Sequence, residues 1–163
     1  MDIGIKCEQG TFKLRACGVV CQDGKILVQK ARRFDGFTFM GGHIELGENS
    51  RDGVVREIKE ELGVDTEIER LICINENIFS PTNSDTVAHE IACYYLLRPL
   101  QKLPTEDFER FEIDHGQELT HYFHWIDLES AREYNIRPNW VVDMVLEGVE
   151  DYYYLTDQTK NDE

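Results

Sequence analysis

A chain of 163 residues fits one domain, and burying roughly two-thirds of its unfolded surface is within reach at that length. Its net charge of −15, from 32 acidic against 17 basic residues, repels nucleic-acid polymers and anionic membranes, and no apolar run approaches the roughly 20 residues of a membrane span. A small polyphosphate is not excluded, provided that local Arg and Lys groups or a metal ion meet its charge.

In chain order, the N-terminal MDIGIKCEQGTFKL lacks the basic-then-apolar layout of a secretory leader, so the expected compartment is the cytoplasm. Phe12 to Cys21 and Lys25 to Ala31 are two apolar, β-prone runs joined by Gln22-Asp23-Gly24, a strong hairpin signal. Arg32, Arg33, Phe34, Asp35 and Gly36 form a basic loop before the short run Phe37 to Met40. Arg32 and Arg33 are candidates for contacting substrate phosphates, because guanidinium engages phosphate oxygens in pairs. Two exposed surface arginines are an equally good reading.

Gly41 to Val64, GGHIELGENSRDGVVREIKEELGV, combines a glycine-rich turn with a carboxylate-rich helix. Asn49 or Ser50 supplies an N-cap, Asp52 sits in the first turn where the helix dipole favours it, and Gly63 closes the helix. At roughly 100° per residue, Val54, Val55, Ile58 and Leu62 make an apolar stripe while Glu57, Glu60 and Glu61 stand together beside it. Like charges at these spacings weaken an isolated helix, and a hard divalent cation is the economical compensator. The bland reading is a solvated acidic face.

Beyond the helix, Thr66 to Ile74 and Val87 to Leu97 read as strands around a turn at Ser80 to Ser84. Pro99 to Gln117 is polar and acidic with little periodicity and reads as a long loop or short helix, with a mobility suited to a lid. Glu118 to Ile126 is the last clear strand, and Asp127-Leu128-Glu129 can cap a short helix. Pro138 suits position N1 of a final helix whose Trp140, Val141, Met144, Val145 and Val149 form a stripe facing a sheet. A single domain over 1–155 and a polar tail over 156–163 follow. Strands interspersed with two helices suggest a mixed sheet between helical layers. The five cysteines include no Cys-x-x-Cys pair and read as buried thiols in a reducing compartment. His121 and His124 fall on opposite faces of their strand, which argues against a joint metal site.

One spacing goes further. From Gly42, five residues lead to Glu48, seven more to Arg56-Glu57-Ile58, then Lys59, Glu60-Glu61, Leu62 and Gly63-Val64. This resembles the Nudix box of the MutT-like hydrolases, Gly-x5-Glu-x7-Arg-Glu-U-x-Glu-Glu-x-Gly-U with U a bulky aliphatic, and every fixed position is filled. The resemblance implies an α/β/α sandwich with a mixed sheet between helices. It also implies a Mg²⁺-dependent hydrolase, with Mn²⁺ as the alternative ion, that cleaves the pyrophosphate linkage of a nucleoside diphosphate joined to another moiety. ADP-ribose, a modified nucleoside triphosphate and a dinucleoside polyphosphate all remain open as that nucleotide.

By the same resemblance Glu57, Glu60 and Glu61 hold the metal, with one of them free to act on water. Gly41 adds its carbonyl as a ligand, and Gly42 lets backbone approach the phosphates. Arg56 pairs with Glu48 or a neighbouring carboxylate to hold the loop on the helix. A further acid from outside the box is chosen among Glu90, Glu109, Glu112 and Glu118, with Glu118 preferred. Met40 departs from the proline that many members carry before the double glycine. A homodimer is common in the family. The competing reading is a Nudix-fold module that senses a nucleotide without hydrolysing it.

Overall fold

The computed structural model describes residues 1–80, 85–114, 116–148 and 153–157. Among these, eleven strands form one mixed sheet. The strands are β1 (Gly4–Cys7), β2 (Gly10–Gln22), β3 (Lys25–Lys30), β4 (Phe37–Thr38), β5 (Met40–His43), β6 (Thr66–Phe79), β7 (Val87–Pro99), β8 (Phe108–Asp114), β9 (Gln117–Asp127), β10 (Ile136–Arg137) and β11 (Tyr153–Asp157). Helix α1 covers Ser50–Leu62, α2 covers Trp140–Glu147, and a 3-10 turn covers Leu128–Glu133.

β2 is the axis. It pairs antiparallel with β3 beyond the Asp23-Gly24 turn, where both residues take positive φ (52° and 75°) as a tight hairpin requires, and antiparallel with β5 lower down. Its other flank runs parallel to β7 from Gly10–Val87 to Val20–Leu97. β9 adds to β3, β6 to β7, and β11 to β6.

Alternation along β2 sends apolar residues to both faces, and each face is covered. Ala16 and Val20 join Val54, Ile58 and Leu62 of α1 in one core cluster. Cys17 and Val19 join Val141, Val142 and Met144 of α2 in the other. The result is the α/β/α sandwich expected from the box.

Several sequence expectations change. The expected loop at Pro99 to Gln117 contains β8, a strand hydrogen-bonded to β9 from Phe108–Phe123 to Asp114–Gln117. Its Phe-Glu-Arg-Phe-Glu-Ile run satisfies its backbone on β9, and Phe111 and Ile113 are left exposed. Pro138 precedes α2 instead of opening it, because Asn139 is the N-cap. Val149 lies outside the described residues. Thr156 and Asp157, placed in the polar tail by sequence, belong to β11. Of the cysteines expected to be buried, Cys17, Cys73 and Cys93 are, whereas Cys7 is exposed and Cys21 partly so.

Candidate active site

α1 is built as its sequence dictates. The Asn49 side chain accepts from the N–H groups of Arg51 and Asp52 at 3.0 Å each, and Gly63 closes the helix at φ 72° with its N–H on the Lys59 carbonyl. The apolar stripe clamps the helix to the sheet, which directs Glu57 and Glu61 toward β5. Glu60, on the outer side, stays 45% exposed while Glu57 keeps 15%.

Each box carboxylate has a specific partner. Glu61 is buried and accepts from the Gly41 N–H at 3.1 Å. The Glu57 carboxylate lies directly against Gly42, where any Cβ would collide with it. Arg56 gathers the rest: Nε and Nη2 reach the two Glu48 oxygens at 2.9 Å each, Nη1 reaches Glu57 at 2.8 Å and Glu60 at 3.1 Å, and Nη2 also donates to the His43 carbonyl at 3.0 Å. Glu48 in turn accepts from the Glu45 N–H at 3.0 Å. A single guanidinium therefore ties the glycine loop to the helix, the role that the resemblance to the box implies for it.

Charge is unevenly matched here. Burial pushes the Glu57 carboxyl above the usual range, against the pull of Arg56 and with Glu60 adding to the rise. Glu48 goes the other way, held low by its hydrogen bonds from Arg56. Arg56 serves Glu48, Glu57 and Glu60 together, and Glu61, within electrostatic reach of Arg15, adds a fourth carboxylate nearby.

This donor set is hard oxygen throughout, carries surplus negative charge and includes a desolvated carboxylate, which fits a divalent cation of the magnesium type. It is not a finished cage. Among the described residues no three acidic, His or Cys side chains already converge at coordination distance, since Glu57 and Glu60 are engaged by Arg56.

A basic cluster adjoins this acid face. Lys13 and Arg15 alternate along β2 and share one side of the sheet. The Lys13 ammonium is held below its usual range, first by burial and then by the charges of Arg15 and Arg33, with Glu90 opposing. His43 on β5 is held low by burial and by Lys13. Arg15 donates through Nη2 to the Gly41 carbonyl at 2.8 Å, and its Nη1 lies 3.5 Å from Glu90.

The structure thus draws together Glu48, Arg56, Glu57, Glu60, Glu61, Gly41 and Gly42, with Arg33 within electrostatic reach of Lys13. Arg32 is exposed in the 31–36 loop, and Glu118 is exposed near the turn between β8 and β9, opposite Ile113. Neither joins the hydrogen-bonded cluster among the described residues. Of the candidate acids outside the box, Glu90 is linked to it, through Arg15. Sequence reasoning passes over Lys13 and Arg15; the available signal is two cations at i, i+2 in an otherwise apolar strand, and it acquires meaning only once β5 is known to pair with β2. The histidines take structural partners: His121 is buried against Gln29, and His124 bonds Asp107 at 2.9 Å.

Comparison with known proteins agrees with this arrangement. The NUDIX domain profile matches residues 11–143. An ADP-ribose pyrophosphatase of Methanocaldococcus jannaschii is 35% identical over 83 residues, which are 49% of this chain and 47% of that protein. The chain thus spans about half the length of that curated relative. Among solved structures, the mutator MutT protein of Bacillus halodurans superposes with a TM-score of 0.63 at 14% identity, covering 90% of this chain and 92% of that one. An ADP-ribose pyrophosphatase of Streptococcus suis superposes with a TM-score of 0.57 at 21% identity, covering 89% and 98%. A sandwich of this topology, with a carboxylate helix strapped to a double-glycine strand, defines one class of protein. The chain belongs to the Nudix family.

Proposed function

We propose that this protein hydrolyses the pyrophosphate linkage of a nucleoside diphosphate joined to another moiety, with ADP-ribose as the leading substrate. The observation that carries the reading is the acid face of Glu57, Glu60 and Glu61 set against Gly41 and Gly42, with Lys13, Arg15 and Arg33 alongside. The names of the two ADP-ribose pyrophosphatases described above support the choice of substrate.

A diphosphate enters a site already divided into an acid half and a basic half. Lys13 and Arg33 offset the charge of the phosphate oxygens, and Gly42, lacking a side chain, lets the backbone come close to them. Glu57, Glu60 and Glu61 hold Mg²⁺ or Mn²⁺, and Gly41 and Glu118 stay on the proposed ligand list. The ion, when bound, withdraws charge from the diphosphate and lowers the cost of attack at phosphorus. One of the glutamates orients the attacking water and takes its proton; the new P–O bond forms as the anhydride P–O bond breaks, and the departing phosphate keeps the electron pair. Arg56 and Glu48 keep the loop in register throughout. A homodimer and a cytoplasmic location complete the proposal, the first testable by light scattering; none of the described helices is long and apolar enough to cross a membrane.

The test is a phosphate-release screen over ADP-ribose, modified nucleoside triphosphates and dinucleoside polyphosphates, with and without Mg²⁺. Glu57→Gln and Glu61→Gln are expected to lower turnover by at least about 100-fold while folding is retained. Unchanged turnover in both variants removes the site assignment. Nucleotide binding without turnover in the wild type favours the sensing module instead.

A further inference from the structure

β8 is an edge strand. Phe108–Asp114 pair along their whole length with β9, and among the described residues no strand lies along the other side. An open row of backbone N–H and C=O groups is a template for a further strand, which proteins ordinarily blunt with proline, a bulge or charge. β8 contains no proline, and its register with β9 runs without a shift. Phe108 packs into the cluster beneath α1 and stacks on Phe123 at 5.0 Å, so alternation turns Glu109, Phe111 and Ile113 to the opposite face. There Phe111 is 70% and Ile113 75% exposed, and Tyr122, across from Glu109 on β9, is 51% exposed. Large apolar side chains thus flank an unpaired edge.

We propose that this edge pairs with the same edge of a second copy of the chain, antiparallel about a two-fold axis at Phe111, so that two sheets continue into one. The sequence of β8 selects both the partner and the register. With the axis perpendicular to the sheet, paired residues share a face, so the axis must pass through a residue. Centred on Arg110 it sets arginine against arginine, and centred on Glu112 it sets glutamate against glutamate; like charges directly opposite destabilise a pair. Centred on Phe111 it sets Phe111 against Phe111, Glu109 against Ile113, and Arg110 against Glu112, the last two twice by symmetry. Arg110 is exposed with its guanidinium beside Gly63, on the α1 side of the sheet, where the copy presents position 112. A two-fold contact occupies both edges at once, so assembly closes at two chains. The proposal gives the homodimer named above its surface and needs neither metal nor nucleotide, so its failure leaves the hydrolytic reading standing.

The experiment is sedimentation velocity on the full chain over about 1–100 µM, a range that brackets a micromolar Kd, with circular dichroism to verify folding. Wild type is expected to sediment as a dimer at the upper end and to dissociate on dilution. Phe111→Glu, which sets two carboxylates face to face on the axis, and Arg110→Glu should each weaken association by at least about tenfold. The double exchange Arg110→Glu with Glu112→Arg should restore it to within about threefold of wild type. Phe111→Cys, made in Cys7→Ser protein, should crosslink to its own copy under copper–phenanthroline, because residues directly opposite hold their Cα atoms about 5 Å apart. Ile113→Cys in the same background stands about 14 Å from its copy and should not. Wild type that stays monomeric throughout, assembly beyond two chains, or a folded Phe111→Glu variant that dimerises as tightly as wild type overturns the proposal. So does crosslinking at position 113 as ready as at 111, or a double exchange no tighter than Arg110→Glu.

Discussion

Gly42 shows how much depends on the absence of one carbon atom. Because the Glu57 carboxylate occupies the space of its missing side chain, Gly42→Ala displaces only the free end of Glu57 and leaves the strand pairing to Ala16 intact. Turnover should fall by about 100-fold, since misplacing a reacting group by about 1 Å costs that much, while circular dichroism and melting stay near wild type. The thiols differ equally sharply among themselves. Burial pushes Cys17 up to about 12 and Cys21 up to about 11, and Cys73 and Cys93 are also buried, whereas Cys7 is exposed. A raised pKa leaves almost no thiolate at pH 8, and thiolate is the reactive form. Titration of the native protein with a thiol reagent at pH 8 should therefore show one fast group, absent in Cys7→Ser, with the rest reacting fully only after denaturation.

At the level of elements, α1 approaches β2 closely because Gly18 leaves room for it. A Cβ at Gly18 would lie 2.7 Å from a methyl of Leu97 and 2.8 Å from Cδ1 of Ile58, so Gly18→Ala forces the helix outward or its side chains off their rotamers. We expect a loss of about 1–3 kcal/mol in urea unfolding, and a larger loss for Gly18→Val. The same elements explain what could be read from the chain without its structure. α1 was legible to its caps, because Asn49, Asp52, Val54, Ile58, Leu62 and Gly63 signal locally and agree with one another. β8 was not, because Glu109 and Arg110 interrupt an apolar alternation that only the neighbouring β9 stabilises. A strand as short as β10 exists by pairing with a distant partner, Ile136 with Phe37, and carries little signal of its own. The acid half of the site sits on one helix and could be seen in sequence; of the basic half, Arg33 in the 31–36 loop could be picked out, whereas Lys13 and Arg15 on β2 could not.

Across the whole molecule, two apolar clusters hold the sheet between α1 and α2. The fold therefore stands without a metal, and removing divalent ions with a chelator should abolish turnover without unfolding the chain. On the proposed reading magnesium binds the folded state alone, so at about 100 times its Kd it should contribute about 2.7 kcal/mol. For a chain of this size that raises Tm by about 5–10 °C, a shift that scanning calorimetry resolves and that Glu57→Gln should shrink.

The parallel seam between β2 and β7 joins segments far apart in the chain, Gly10 with Val87 and Val20 with Leu97. On the ribosome β2 emerges ahead of β7, folds back on β3, and then waits with one flank bare until β7 has been synthesised. That flank is apolar and unpaired, the kind of nascent edge that chaperones shield and neighbouring polypeptides capture. Slower translation between the two strands lengthens this vulnerable interval, so the yield of soluble protein depends on the speed of synthesis as well as on the finished sandwich.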